Sequence, residues 1–495
     1  MFDSANLDHV VDEETYRREE PKLREALLAA QVALGRQARF PVLIVIGGVE
    51  GAGKSETVNV LNEWMDPRHI RTYGFPDPSD EERERPRMWR YWRALPPRGT
   101  TGILFGAWHS QPIIDRVMGR IDDARLDQHV DEILRFEQML ADEGVLLLKF
   151  WLHLTRDQQR RRLEALAKSP RTRWRVTDLD RKYSRRYDRF VRVAERYSRR
   201  TSTAAAPWIV VSGANANYRN LTVGRTLLAA LGERLGTRRP PRAPGRTPPL
   251  LPSVDRMNVL RALDLDRAVP AGRYHRALEK WQGRLALLAR HSKFARTGVV
   301  AVFEGNDAAG KGGVIRRVTG ALDARQYRGI SIAAPTEEER AQPYLWRFWR
   351  HLPRRGRFVL FDRSWYGRVL VERVEGICLE EDWMRAYGEI NDFEQSLIDH
   401  GLVVAKFWLA ISKQEQLRRF REREKTAFKR FKITPEDWRN RKKWEAYERA
   451  VCDMVDRTST HRAPWTLVEA NDKPFARIKV LKTLCAAIEE RLDTA

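Results

Sequence analysis

Gly48-Val49-Glu50-Gly51-Ala52-Gly53-Lys54-Ser55 follows an apolar run and fits the glycine, lysine and hydroxyl spacing of a phosphate loop. In such a loop backbone N–H groups wrap a phosphate. The N-terminus of the helix that follows adds positive potential, and the lysine reaches the terminal phosphate. A second stretch, Gly305-Asn306-Asp307-Ala308-Ala309-Gly310-Lys311-Gly312, keeps both glycines and the lysine. Gly312 stands there in place of the hydroxyl that usually holds Mg²⁺, and Asp307 inside the loop is a carboxylate that can supply the missing contact. Further on, an apolar run ends in Asp362-Arg363-Ser364-Trp365. An aspartate at the end of a second strand suits the metal-binding carboxylate of a P-loop enzyme, and an adjacent arginine can neutralise charge on a transferring phosphoryl group. The chemistry implied is phosphoryl transfer, in which positioning and electrostatics do most of the work.

The two loops belong to two copies of one module. Adding 257 to a residue number carries the first half onto the second: Lys54 onto Lys311, Trp89-Arg90-Tyr91-Trp92-Arg93 onto Trp346-Arg347-Phe348-Trp349-Arg350, and Lys149-Phe150-Trp151-Leu152 onto Lys406-Phe407-Trp408-Leu409. At that offset Phe105 and Gly106 stand where the second copy has Asp362 and Arg363. The first copy is therefore expected to form a phosphate loop without the groups that act on a transferred phosphoryl, so the catalytic half is expected to be the second.

These residues need elements to position them. Tyr16–Gln37 has apolar residues at helical spacing, and Phe40–Ile46 is a short β-branched run ending in glycines, which predicts a buried strand. A glycine turn and a helix from Lys54 follow. The second copy repeats the order with a helix near Tyr274–His291, a strand Gly298–Phe303 and a helix from Lys311. Further strands are predicted at Gly102–Phe105, Val145–Trp151 and Trp208–Val211, mirrored at Phe358–Phe361, Leu402–Trp408 and Trp465–Val468. Strands alternating with helices predict an α/β fold with a parallel, doubly wound sheet in each copy. The proline- and arginine-rich stretch 238–252 reads as a stiff linker between modules at 1–237 and 253–495.

Lysine and arginine number 91 against 67 aspartate and glutamate, a net charge of +24. That surplus implies a polyanionic partner, with a merely soluble arginine-rich surface as the plainer alternative. The three cysteines, Cys378, Cys452 and Cys485, form no CxxC pair, which argues against a disulfide framework or zinc site. The polar, acidic N-terminus is unlike a signal peptide, and no apolar run approaches the roughly 18 residues that span a bilayer. A cytoplasmic location without membrane contact is expected.

Glu304-Gly305-Asn306-Asp307-Ala308-Ala309-Gly310-Lys311-Gly312-Gly313, Phe361-Asp362-Arg363-Ser364-Trp365-Tyr366-Gly367-Arg368 and Ala470-Asn471-Asp472-Lys473 together resemble the polyphosphate kinase 2 family, and the tandem layout resembles its polyphosphate:AMP phosphotransferase class. The resemblance implies two thymidylate-kinase-like P-loop domains, each with a helical lid. It implies polyphosphate and AMP or ADP as substrates, and Mg²⁺ (or Mn²⁺) held by Asp307 and Asp362. Lys311 would be the phosphate-loop lysine, supported by Gly305, Asn306, Gly310 and Gly312, and Arg363 would lie beside the transferring phosphate.

The stretch from Lys413 to Lys443 is densely basic and suits a lid that meets a polyanion. Arg421, Lys425 and Lys432 are the candidates for polyphosphate contact, the alternative being a solvated basic helix. Arg347, Arg350 and Arg368 are candidates for nucleotide phosphate, although Arg347 and Arg350 equally suit pairing with Glu337-Glu338-Glu339. Trp346, Phe348 and Trp349 suit either an adenine stack or a core. Two rival functions remain at this point. An ATP-dependent nucleoside monophosphate kinase explains the loops but not the basic lids. A nucleic-acid-binding P-loop protein explains the charge, but no base-reading motif is present. An internal pseudo-dimer of the two modules and a homo-oligomer are both compatible with the duplication.

Overall fold

The computed structural model describes residues 1–7, 9–237 and 258–494. The expected linker at 238–252 lies outside the described residues. Packing divides the chain into two units. The first comprises Met1–Pro78, 90–237 and Thr336–Trp346; the second comprises Ser79–Trp89, 258–335 and 347–494. Residues 79–89 and 336–346 thus group differently from the expected boundaries at 1–237 and 253–495. Each segment holds only a single turn of helix closed by a capping box, Ser79 with Glu82 and Thr336 with Glu339. A turn that short buries nothing of its own, so tertiary packing decides where it resides.

Each unit is built on a wholly parallel five-stranded sheet. The first contains β1 (Val42–Gly48), β2 (Ile70–Gly74), β3 (Thr101–Phe105), β4 (Leu146–His153) and β5 (Trp208–Ser212), in the order β2-β3-β1-β4-β5. The second contains β6 (Gly298–Gly305), β7 (Tyr327–Ser331), β8 (Phe358–Asp362), β9 (Leu402–Ala410) and β10 (Trp465–Glu469), in the same order. The central strands are buried on both faces, which is why they read as unbroken apolar runs. The edge strands β2 and β7 do not read that way. Four of the five residues of β2 are exposed, so no apolar pattern marks it, and β7 has the same half-exposed character. The expected doubly wound architecture is present, with one more strand per sheet than the apolar runs indicate.

In this strand order the chain leaves β6 toward β7 and β8 on one side and returns to β9 and β10 on the other. The carboxyl ends of β6, β8 and β9 therefore open onto a shared crevice, where such folds place their ligands. The second core is closed by the helices Tyr274–Arg290 and Lys473–Asp493 packed over β6 and β9.

A buried ion pair pins the crevice walls in both units. Lys406 on β9 donates to Glu394 of the helix Glu380–Asp399 at 2.7 Å and to the Thr458 carbonyl at 2.6 Å. Glu394 also accepts from Trp365 Nε1 at 3.0 Å and from the Tyr366 hydroxyl at 2.6 Å. The first unit repeats this with Lys149, Glu137, Trp108 and the Thr201 carbonyl, and His109 takes the place of Tyr366. Burial pushes both lysines below their ordinary pKa, opposed by the paired carboxylates.

Lys406→Met would leave the Glu394 carboxylate buried without its counter-charge. The expected cost is about 3–5 kcal/mol in urea denaturation of the second unit, largely recovered in Lys406→Met/Glu394→Leu. A second expectation concerns pH. His153 on β4 is buried beneath the Phe2 ring at 4.8 Å, and burial pushes its pKa down to about 4. The unfolded chain takes up that proton near pH 6.5 and the folded chain does not, so stability is full above that pH and falls as pH drops toward 4. The loss is about 1.4 kcal/mol per pH unit at most, and His153→Gln should flatten this acid limb of the denaturation midpoint.

Candidate functional site

The two phosphate loops share a backbone and differ in their chemistry. Gly305 adopts φ +149°, and a Cβ there would lie 2.5 Å from the Leu409 carbonyl oxygen, so only glycine lets β6 turn so close to β9. Gly48 repeats this against Leu152. Lys311 opens its helix after Gly310 and donates to the Gly305 carbonyl at 2.9 Å. Lys54 does the same to Gly48 at 3.0 Å, but also pairs with Glu50 Oε1 at 2.9 Å. Asp307, at the position of Glu50, is one methylene shorter and pairs elsewhere. Its Oδ1 accepts from Arg363 Nη2 at 3.3 Å and its Oδ2 from Asn440 Nδ2 at 3.0 Å. Asn306 ties the second loop to the end of β9, accepting from the Ile411 N–H at 3.1 Å. A Cβ on Gly312 would meet nothing within 4 Å, so the missing hydroxyl is not a steric necessity.

β8 carries Asp362 into register with Phe303, and the Arg363 N–H bonds the Phe303 carbonyl at 3.1 Å. The expected quartet of Asp307, Lys311, Asp362 and Arg363 is therefore assembled at the adjoining ends of β6 and β8. Four further residues, given no role by their sequence pattern, join them. Glu304, Glu436, Asn440 and Tyr447 line the same cleft, about 90 Å³ in volume, together with Asp307 and Arg363. Glu304 is buried, accepts from Ser364 Oγ at 2.8 Å, and has its pKa raised by that burial. Burial also works against the charge on Arg363, but Asp307, Glu304, Glu436 and Asp362 outweigh it and raise its pKa. The signal that marks Glu304 and Asn440 was present in the duplication. Gly47 and Tyr183 occupy their positions in the first copy, where Phe105 and Gly106 already mark the loss of Asp362 and Arg363.

The basic stretch divides into structural and exposed residues. Arg419 is 97% buried, with relative exposure of 3%. It donates to the carbonyls of Ala308, Ala309, Ala470 and Asn471 at 2.7–3.0 Å, clamping the phosphate loop to the start of the last helix. Asn471 and Asp472 are structural too, accepting from the Ser412 and Phe475 N–H groups. Arg439 and Lys443 reach Glu375 at 3.2 and 3.0 Å and, with Asn440, bring the helix Pro435–Lys442 over the cleft. Arg421, Lys425 and Lys432 are all exposed. The structure does not bring Arg347, Arg350 and Arg368 into the cleft lining. Arg347 bonds the Ala333 carbonyl at 3.1 Å, Arg350 is exposed, and Arg368 pairs with Glu372 at 2.9 Å. Trp346, Phe348 and Trp349 are buried, with Phe348 packed on Phe361 and Trp365 and Trp349 on Phe393, so they form core and not a base-stacking surface.

No cluster of three or more His, Cys, Asp and Glu among the described residues is placed to hold a metal. Mg²⁺ seldom needs one, because it takes one or two carboxylates and fills its remaining positions with water and phosphate oxygens. Asp307 and Asp362 beside a phosphate loop fit that habit. All three cysteines are free thiols. Among the described residues no helix is long and apolar enough to cross a membrane.

The family model for polyphosphate kinase 2 matches residues 10–238 and 269–494. A polyphosphate:AMP phosphotransferase of Pseudomonas aeruginosa is 60% identical over 99% of both chains. That of Pseudomonas syringae is 54% identical over 99% of this chain and 98% of its own, and that of Acinetobacter johnsonii 36% identical over 96% and 97%. The crystal structure of a polyphosphate kinase 2 from Pseudomonas aeruginosa superposes with a TM-score of 0.91, at 57% identity and full coverage of both chains. With two matched modules and the phosphate-loop site just described, the chain belongs to the polyphosphate kinase 2 family of phosphotransferases.

Proposed function

We propose that the second unit transfers the terminal phosphoryl group of inorganic polyphosphate to AMP, releasing ADP and a chain one phosphate shorter. The observation that carries this reading is the Asp307–Arg363 pair over an unobstructed phosphate loop, which the first unit lacks. The curated relatives that align end to end are named for this reaction. An oxygen of the AMP α-phosphate attacks the terminal phosphorus. The bridging P–O bond breaks, and its electron pair leaves with the shortened chain. No covalent enzyme intermediate is needed. Lys311 and the N–H groups of the loop hold the phosphates, and Arg363 offsets charge on the transferring group. Asp307 and Asp362 would hold Mg²⁺, which supplies charge neutralisation between the phosphates. Arg421, Lys425 and Lys432 present exposed cations to the chain, which carries phosphate and no bases. The first unit acts as a scaffold or a polyphosphate-holding surface, its loop lysine occupied by Glu50.

Asp362→Asn should abolish AMP phosphorylation with the circular dichroism spectrum unchanged; full activity in that variant would overturn the assignment. Lys311→Ala should lose at least about 100-fold in kcat, whereas Lys54→Ala keeps turnover; the opposite pattern would move the active site to the first unit. ATP offered with AMP in place of polyphosphate should give no comparable rate. Polyphosphate affinity should fall steeply with salt. Each of Arg421→Ala, Lys425→Ala and Lys432→Ala should lower the slope of log K against log salt by about 0.7, the value for one cation on a single-stranded polyanion.

A further inference from the structure

Three non-glycine residues among those described adopt a left-handed backbone, and two of them sit in this site: Ala308 at φ +64° and Arg363 at φ +65°. The first unit has the same two conformations, but with glycine in both: Gly51 at φ +79° and Gly106 at φ +66°. A left-handed backbone costs a residue with a Cβ about 1–2 kcal/mol and costs glycine almost nothing. The turn after β8 is thus a property of the fold, and the second unit carries an arginine there at a conformational cost.

Something must hold Arg363 in that conformation. Its N–H bonds the Phe303 carbonyl at 3.1 Å, but this contact needs no side chain. The residues on either side of the crevice do. Ser364 follows Arg363 directly, is buried, and accepts from the Tyr366 N–H at 3.3 Å as the cap of the short turn Trp365–Arg368. Its hydroxyl hydrogen is directed to Glu304 Oε1 at 2.8 Å, on the neighbouring strand β6. Glu304 is buried as well. In the first copy Gly47 stands for Glu304, Gly106 for Arg363 and Ala107 for Ser364. The strained residue and both partners of the bond beside it are absent together.

We infer that Glu304 and Ser364 are positioning residues, a cross-strand clamp that holds Arg363 in its left-handed turn with the guanidinium directed at Asp307 and the phosphate loop. The clamp acts through Arg363 and does not itself touch the transferring group. An arginine serving mainly the transition state affects kcat more than KM, so loss of the clamp has that signature. The inference rests on the second unit being the catalytic one.

The test is steady-state kinetics on the full chain with AMP and polyphosphate. Ser364→Ala should lower kcat at least about tenfold with KM for AMP within about threefold, and Ser364→Thr, which restores the hydroxyl, should recover most of the loss. Glu304→Ala should behave like Ser364→Ala, and Glu304→Gln, which keeps an oxygen acceptor, should recover much of it. In an Arg363→Gly background, whose residual rate is read at high enzyme concentration, adding Ser364→Ala should lower the rate by less than twofold, since no guanidinium remains to be positioned. The clamp is overturned if Ser364→Ala keeps wild-type kcat, if neither conservative variant rescues, or if the loss in the Arg363→Gly background is as large as in wild type. Thermal unfolding of each variant separates a misfolded chain from a mispositioned arginine. A fully active Arg363→Gly would instead sink the catalytic reading itself.

Discussion

Each unit is organised around one lysine and one glutamate buried together. Lys406 and Glu394 join a central strand, the helix that precedes it, the carbonyl end of the helix Trp444–Thr458 and the Trp365-Tyr366 turn at a single point. A charge at that depth is tolerable only when paired and fully hydrogen-bonded, so these elements have little freedom to shift independently. The turn that this pair anchors is the one that carries Asp362 and Arg363. The first unit keeps the same lysine, glutamate, tryptophan and threonine carbonyl although Phe105 and Gly106 stand where the second has Asp362 and Arg363. The network therefore serves the fold, and the chemistry was built on a scaffold that does not require it.

The contrast between the two loops is a matter of side-chain length. Glu50 reaches back to Lys54 and neutralises it; Asp307 is too short to do the same and turns to Arg363 and Asn440. One methylene thus separates a loop whose lysine is occupied by its own chain from one whose lysine remains available to phosphate. The loop with the better sequence pattern is the one closed by its own carboxylate.

The basic residues show why net charge is a poor guide to individual roles. Arg419 belongs to the same cationic run as Arg421, yet it is buried and spends its donors on backbone carbonyls that carry the phosphate loop. Arg439 and Lys443 are held by Glu375, and Arg368 by Glu372. A helix with a cation on every side must turn some of them inward, and which ones depends on the acids and carbonyls of neighbouring elements.

The sequence alone determined the duplication, the parallel α/β class, the two phosphate loops and the Asp362-Arg363 pair. Central strands buried on both faces are written as apolar runs, and glycines at loop turns have no substitute. The offset between the copies also showed that the Asp362-Arg363 pair occurs in the second half alone, with Phe105 and Gly106 at its place in the first. Only the tertiary structure decided the rest. The edge strands β2 and β7 carry no apolar signature because most of their residues meet solvent. Trp346, Phe348 and Trp349 became core because packing partners, not residue type, settle whether an aromatic stacks on a ligand or a neighbour. Glu436, Asn440 and Tyr447 joined the site from positions far beyond the phosphate loop in the chain. Residues that meet across a crevice are specified by the register of strands and the placement of a lid, which no local pattern encodes.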